Sequence, residues 1–130
     1  MNRLYDRVEQ QRLLDDIRFI IIDSNTKNKD VKLEKITRFL KLYHKGEFLY
    51  PQAVKRICEI DVDTLEKIFE LLAENKLLTK VSIYRCPNCL NVICVTKFND
   101  DKTLNNFDIC NRCNKEIKED ISIGYAYKVL

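Results

Sequence analysis

The stretch RCPNCLNVICVTKFNDDKTLNNFDICNRCNK, residues 85–115, constrains this chain more than any other. Two Cys-x-x-Cys pairs, Cys86/Cys89 and Cys110/Cys113, stand twenty residues apart with Cys94 between them. Six cysteines in 130 residues imply either disulfides or metal ligation, and the compartment decides between the two. The longest plain apolar run, Phe19 to Ile22, is far too short to span a bilayer, and the start MNRLYDRVEQQ is too charged for a secretory signal. A cytoplasmic, reducing location is therefore expected, and there the paired cysteines read as metal ligands. Zinc imposes no d-electron geometry and accepts four thiolates in a closed tetrahedron, so one structural Zn2+ on Cys86, Cys89, Cys110 and Cys113 is expected. Other cysteine chemistries fit less well. A thioredoxin-type redox pair opens a helix, and neither pair precedes a helical pattern. A zinc deaminase needs H-x-E, whereas this chain has His44-Lys45-Gly46-Glu47. Four sulfurs on one ion also leave no position for a reactive water. Cys58 and Cys94 read as small buried side chains.

The residues around the pairs suggest a small sheet. Asn91 to Phe98 reads as one strand, Asn99-Asp100-Asp101-Lys102 as a polar turn and Thr103 to Ile109 as a returning strand of similar length. A third strand is expected in ISIGYAYKV, where Ile121, Ile123, Tyr125, Tyr127 and Val129 alternate with smaller or polar residues. Asn114 tolerates the left-handed backbone that a metal-binding turn requires, whereas Leu90 stands at the matching place after the first pair. Arg85, Arg112 and Lys115 lie close enough in sequence to offset the charge of a zinc tetrathiolate. Three strands with two paired-cysteine turns resemble a zinc ribbon, over residues 84–130.

Ahead of this module the pattern is helical. Leu33, Ile36, Leu40 and Tyr43 recur at helical steps, with Gly46 as the expected stop. A second helix is expected from Pro51, with Val54, Ile57 and Cys58 inward. A third is capped by Asp61 or Asp63, buries Leu65, Ile68, Phe69, Leu71 and Leu72, and ends at Asn75-Lys76. Leu77 to Tyr84 then reads as extended. Residues 1–30 form an additional segment: Leu4, Val8, Leu14, Ile17 and Ile21 suit an amphipathic helix, Phe19 to Ile22 suit helix or strand equally, and DSNTKNKD is a linker. The expected fold class is α+β.

Three helices and a strand over residues 31–83 resemble a winged-helix domain, and DVDTLEKIFELLAENKLL looks like the third helix of many such domains, with Lys76 in place of the usual glycine. A winged helix followed by a cysteine-paired ribbon is similar in domain order to archaeal transcription factor E and its eukaryotic alpha-subunit counterpart. That resemblance implies a place in a nucleic-acid-related complex.

Charge speaks against direct reading of DNA by the third helix. Residues 1–80 carry 16 basic and 14 acidic groups and residues 81–130 carry 7 and 6, so neither part has the basic excess of a typical nucleic-acid binder. The exposed face of the third helix would offer Asp63, Glu66, Lys67, Glu70 and Glu74, a surface that phosphates repel and that suits a protein partner. Only one strand of a wing is evident before Cys86. Lys35, Arg38, Lys41 and Lys45 form a basic stripe that suits phosphate or an acidic partner. His44 reads as a solvated residue near a helix end. No nucleophile–base pair or phosphate-cradling loop is evident, and the chain has only two glycines. The sequence thus points to a non-enzymatic zinc-binding adaptor that contacts another protein in a transcription, DNA-processing or bacterial defence assembly. The alternative is a DNA-binding winged-helix regulator, with homodimerisation open in either case.

Overall fold

The computed structural model describes residues 3–24, 27–98, 109–110, 112–116 and 122–130. Five helices and four strands lie among these residues, so the α+β expectation holds. Two helices start where local signals demand it. Helix α4, Pro51–Cys58, has its proline in the first turn, where the missing N–H costs nothing. Helix α5, Val62–Glu74, is capped by Asp61, whose carboxylate accepts hydrogen bonds from the Thr64 amide at 3.0 Å and the Thr64 hydroxyl at 2.8 Å. Such a cap stabilises a helix by about 1 kcal/mol. Leu65, Ile68, Phe69 and Leu72 of α5 are buried, while Leu71 is half-exposed. Just beyond α5, Lys76 adopts a φ of 62°, the left-handed position where glycine is usual.

Besides Leu71, three stretches depart from the sequence expectation. The amphipathic segment at the start is two helices, α1 (Leu4–Gln10) and α2 (Leu14–Asp23), separated at Arg12, which has a φ of 58°. The break shifts the helical phase, so that Leu13 and not Leu14 is buried with Leu4, Val8, Ile17 and Ile21. Phe19 to Ile22 is helical. Helix α3, Lys29–Leu40, stops six residues before Gly46. The Gly46 amide instead donates to the Val129 carbonyl at 2.8 Å, and the glycine's φ of 92° turns the chain into strand β1, Phe48–Leu49. Third, Ile57 faces solvent, 59% exposed, while Val54 and Cys58 are buried: an eight-residue helix buries only a narrow face.

The remaining strands are β2 (Leu78–Arg85), β3 (Val92–Lys97) and β4 (Ser122–Val129). Their sheet has the order β1-β4-β2-β3, with β1 antiparallel to β4 and β2 antiparallel to β3. The strand expected in ISIGYAYKV is β4, and it lies between β1 and β2 in the sheet. The β2–β3 register slips between Tyr84 and Arg85, so that Ile93 bulges where the strands approach the first cysteine pair. The expected strand Thr103 to Ile109 and its turn lie outside the described residues, apart from Ile109, which bridges to Glu116.

The chain divides into two compact units, Met1–Thr79 with Tyr127–Leu130, and Lys80–Ala126. In the helical unit α1 packs on α3, α2 on α3 and α5, and α4 on α3 and α5. Its core is built of Leu4, Val8, Ile17, Ile21, Ile36, Leu40, Leu65, Ile68, Phe69 and Leu72, with Tyr127 fully enclosed. The Tyr127 ring lies 5.2 Å from that of Phe69, and its hydroxyl donates to Glu70 Oε1 at 2.9 Å. No described helix is long and apolar enough to cross a membrane.

Candidate metal centre

Each cysteine pair sits in a turn with the same hydrogen-bond plan. In the first, the Cys86 amide donates to the Asn91 carbonyl at 3.0 Å and the Leu90 amide to the Cys86 carbonyl at 2.8 Å. In the second, the Cys110 amide donates to Lys115 at 3.1 Å and the Asn114 amide to Cys110 at 2.9 Å. Both turns require a left-handed residue one place after the second cysteine: Leu90 at φ 61° and Asn114 at φ 58°. Asparagine takes this conformation readily, whereas leucine is strained in it. Leu90 is 60% exposed and so recovers little by burial. Leu90→Gly should therefore stabilise the first turn by about 1 kcal/mol or less, once the added freedom of glycine in the unfolded chain is subtracted. Zinc competition titration should show up to about fivefold tighter binding; weaker binding would mean that the leucine side chain supports the site.

The two turns bring the four sulfurs together, all within 4.8 Å of one another. Cys86 Sγ lies 3.7 Å from Cys113 Sγ, and Cys89 Sγ 3.6 Å from Cys110 Sγ. A disulfide would need about 2 Å. Four sulfurs at about 2.3 Å from a tetrahedral zinc ion are about 3.8 Å apart, close to the separations of these two pairs. The first cysteine of each pair is buried and the second half-buried, as expected of ligands that close off an ion from one side. The four cysteines are thus placed to hold a metal ion.

Backbone and amide groups favour thiolate at part of the site. The amides of Cys113 and Arg112 hold the Cys110 thiol down at about 6, the Arg112 N–H lying 3.4 Å from its sulfur. The Cys89 thiol is lowered by hydrogen bonds from Asn91, whose Nδ2 donates to it at 3.4 Å. Cys113 accepts a backbone hydrogen bond from Lys115, yet desolvation and its three sulfur neighbours push it up to about 11. Four sulfurs this close cannot all ionise without a cation between them, which is the electrostatic case for a metal.

Asn91 was not singled out from the sequence; its place two residues after a ligand cysteine was the available signal. Of the basic groups expected to offset charge, Arg85 donates through Nη1 to the Leu90 carbonyl at 3.0 Å, bracing the first turn, and Arg112 acts through its backbone amide. Cys58 and Cys94 lie outside the cluster. Cys58 is fully buried in α4 and burial pushes its thiol up to about 11, which makes it inert, while Cys94 is half-buried in β3.

The basic stripe is largely occupied by the chain's own groups. Lys35 pairs with Glu59 at 3.0 Å, Arg38 with Glu34 at 2.8 Å, and the Lys41 ammonium lies 4.7 Å from the centre of the Tyr5 ring. Lys45 is exposed in the turn before β1. Exposed ion pairs are weak, worth about 0–1 kcal/mol, so they do not lock these side chains; what matters is that two carboxylates cancel much of the stripe's charge. The His44 ring is exposed, and its backbone amide donates to Glu47 at 2.8 Å. On α5, Asp63, Lys67, Glu70 and Glu74 are exposed and Glu66 half-exposed; together with Leu71 they line a shallow groove. Comparison with family models, characterised proteins and solved structures finds no match for this chain.

Proposed function

We propose that this chain is a non-enzymatic zinc-binding adaptor, a winged-helix unit joined to a zinc-ribbon-like module, that binds another protein within a transcription, DNA-processing or bacterial defence assembly. The carrying observation is the exposed face of α5, where Asp63, Glu66, Glu70 and Glu74 surround a single cation, Lys67. In a helix-turn-helix reader this face would meet the phosphate backbone, and its charge opposes that encounter. Support for the winged-helix reading comes from the order α3, β1, α4, α5, β2 and from the sheet segment β1-β4-β2, in which β4 serves as the returning strand of the wing. Support for zinc comes from the donor set: four soft cysteine sulfurs within 4.8 Å of one another, enough to fill a tetrahedral ion and leave no open position for catalysis. Free thiols throughout suit a reducing cytoplasm.

The resemblance to transcription factor E in domain order supplies the type of assembly. The test is affinity capture from the source cell with the native chain and with Asp63→Lys/Glu74→Lys, two substitutions that spare the Glu70 contact with Tyr127. A protein enriched by the native chain and lost with the variant supports the adaptor. Salt-sensitive binding of the native chain to duplex DNA, strengthened in the variant and with no protein captured, would favour a DNA-binding regulator instead.

A further inference from the structure

The four-cysteine unit is an insertion. Residues 127–130 belong to the helical unit even though Lys80–Ala126 precedes them in the chain. Their anchors in that helical unit include Tyr127 on Phe69 and Glu70, the Val129 amide on the Glu47 carbonyl at 2.8 Å, the Leu130 amide on the Leu77 carbonyl at 3.0 Å, and the Arg7 guanidinium on the Leu130 carbonyl. None of these groups is a ligand of the metal centre. By contrast, the buried apolar residues of the inserted unit, among those described, are Val81, Ile83, Tyr84 and Ala126 besides the ligands Cys86 and Cys110. Four thiolates within 4.8 Å of one another repel unless a cation lies between them, so the order of the turns that carry them depends on the ion.

We infer that metal occupancy sets the order of β3 and the two cysteine turns but leaves the helical unit folded, including its docked residues 127–130 and the acidic face of α5. The chain is then a metal-gated module carried by a metal-indifferent scaffold. Loop closure decides the point. Without the ion, Tyr127 must be held at the end of a free insertion of roughly 50 residues; with it, the cross-link removes somewhat more than half of that length. Closure probability follows about the three-halves power of length, so the helical unit loses only about three- to fourfold in its closing equilibrium. A partner held by α5 therefore binds metal-free and zinc-loaded protein alike, whereas anything held by β3 or the cysteine turns binds only the loaded form.

This inference rests on the zinc reading above, and the two fail differently. Hydrogen exchange by mass spectrometry, on the full chain loaded with Zn2+ and after chelation under reducing conditions, reads each element separately. Protection of Leu65–Leu72 and of residues 127–130 should change by no more than about fivefold, and that of β3 should fall by at least about a hundredfold. Cys89→Ser/Cys113→Ser should reproduce the chelated pattern without a chelator. If α5 and β3 lose protection together in a chain that does bind zinc, the inference alone is overturned. If β3 stays protected without zinc in a chain that does bind it, the inference again falls alone; if no zinc binds at all, both the inference and the zinc reading fall.

Discussion

Cys110→Ser is expected to abolish stoichiometric zinc binding near neutral pH. Cys110 is buried, its sulfur lies 3.6 Å from that of Cys89, and it is the ligand that the surrounding amides hold most readily as thiolate, at about 6. A serine hydroxyl at that place stays protonated and offers a hard, neutral donor where the ion needs a soft anion. Loss of a mere supporting hydrogen bond around a metal typically costs 10- to about 100-fold in affinity, and loss of a ligand must exceed that. Competition against a chromophoric chelator, with metal content measured on the purified protein, gives the answer. A one-to-one complex of unchanged affinity would rule out the four-thiolate site. The pH dependence has a definite sign. Cys113, pushed up to about 11 in the free protein, must release its proton to bind, so zinc affinity should fall as the pH is lowered and each bound ion should displace protons.

The second large effect lies in the helical unit. Tyr127→Ala should destabilise it by about 3–5 kcal/mol, the range for removing a fully enclosed aromatic side chain. Tyr127 has no solvent exposure, stacks at a tilt on Phe69 and bonds to Glu70. Tyr127→Phe keeps the ring and removes only the hydroxyl, so it should cost about 1 kcal/mol. Urea unfolding followed by far-ultraviolet circular dichroism measures both, because the helices that dominate the signal belong to this unit. A loss below about 1 kcal/mol for the alanine variant would show that residues 127–130 are not part of the helical core. The prediction also separates two views of β4. As the third strand of a ribbon, its terminal tyrosine would matter chiefly to metal binding; as the returning strand beside β1, it matters to helix stability.

Local chemistry made much of the chain legible before its fold was known. The spacing of Cys86, Cys89, Cys110 and Cys113 picked out the four sulfurs that the fold gathers, since a tight turn brings two cysteines with two residues between them to one side. Pro51 and Asp61 placed the starts of α4 and α5 because a missing N–H and a side-chain acceptor act within one helical turn. The acidic face of α5 could be read because helical period alone assigns Asp63, Glu66, Glu70 and Glu74 to one side. Leu90 and Lys76 carried weaker signals: each stands where glycine is usual, and the neighbouring hydrogen bonds of the turn hold it in the left-handed conformation regardless.

What sequence alone determined, then, is whatever depends on neighbours within a turn or two: ligand spacing, caps, helix faces and the separation of soft donors from charged surfaces. The tertiary structure decided the rest. It ended α3 at Leu40 and set the Gly46 amide on the carbonyl of Val129, more than eighty residues away along the chain. It divided α1 from α2 and thereby exchanged Leu14 for Leu13 in the core. Above all it gave the last residues of β4 to the helical unit, making the four-cysteine module an insertion. The physical reason is that a strand's alternation says which of its faces is apolar but carries no record of its partner, and that choice is made by burial summed over residues far apart in sequence.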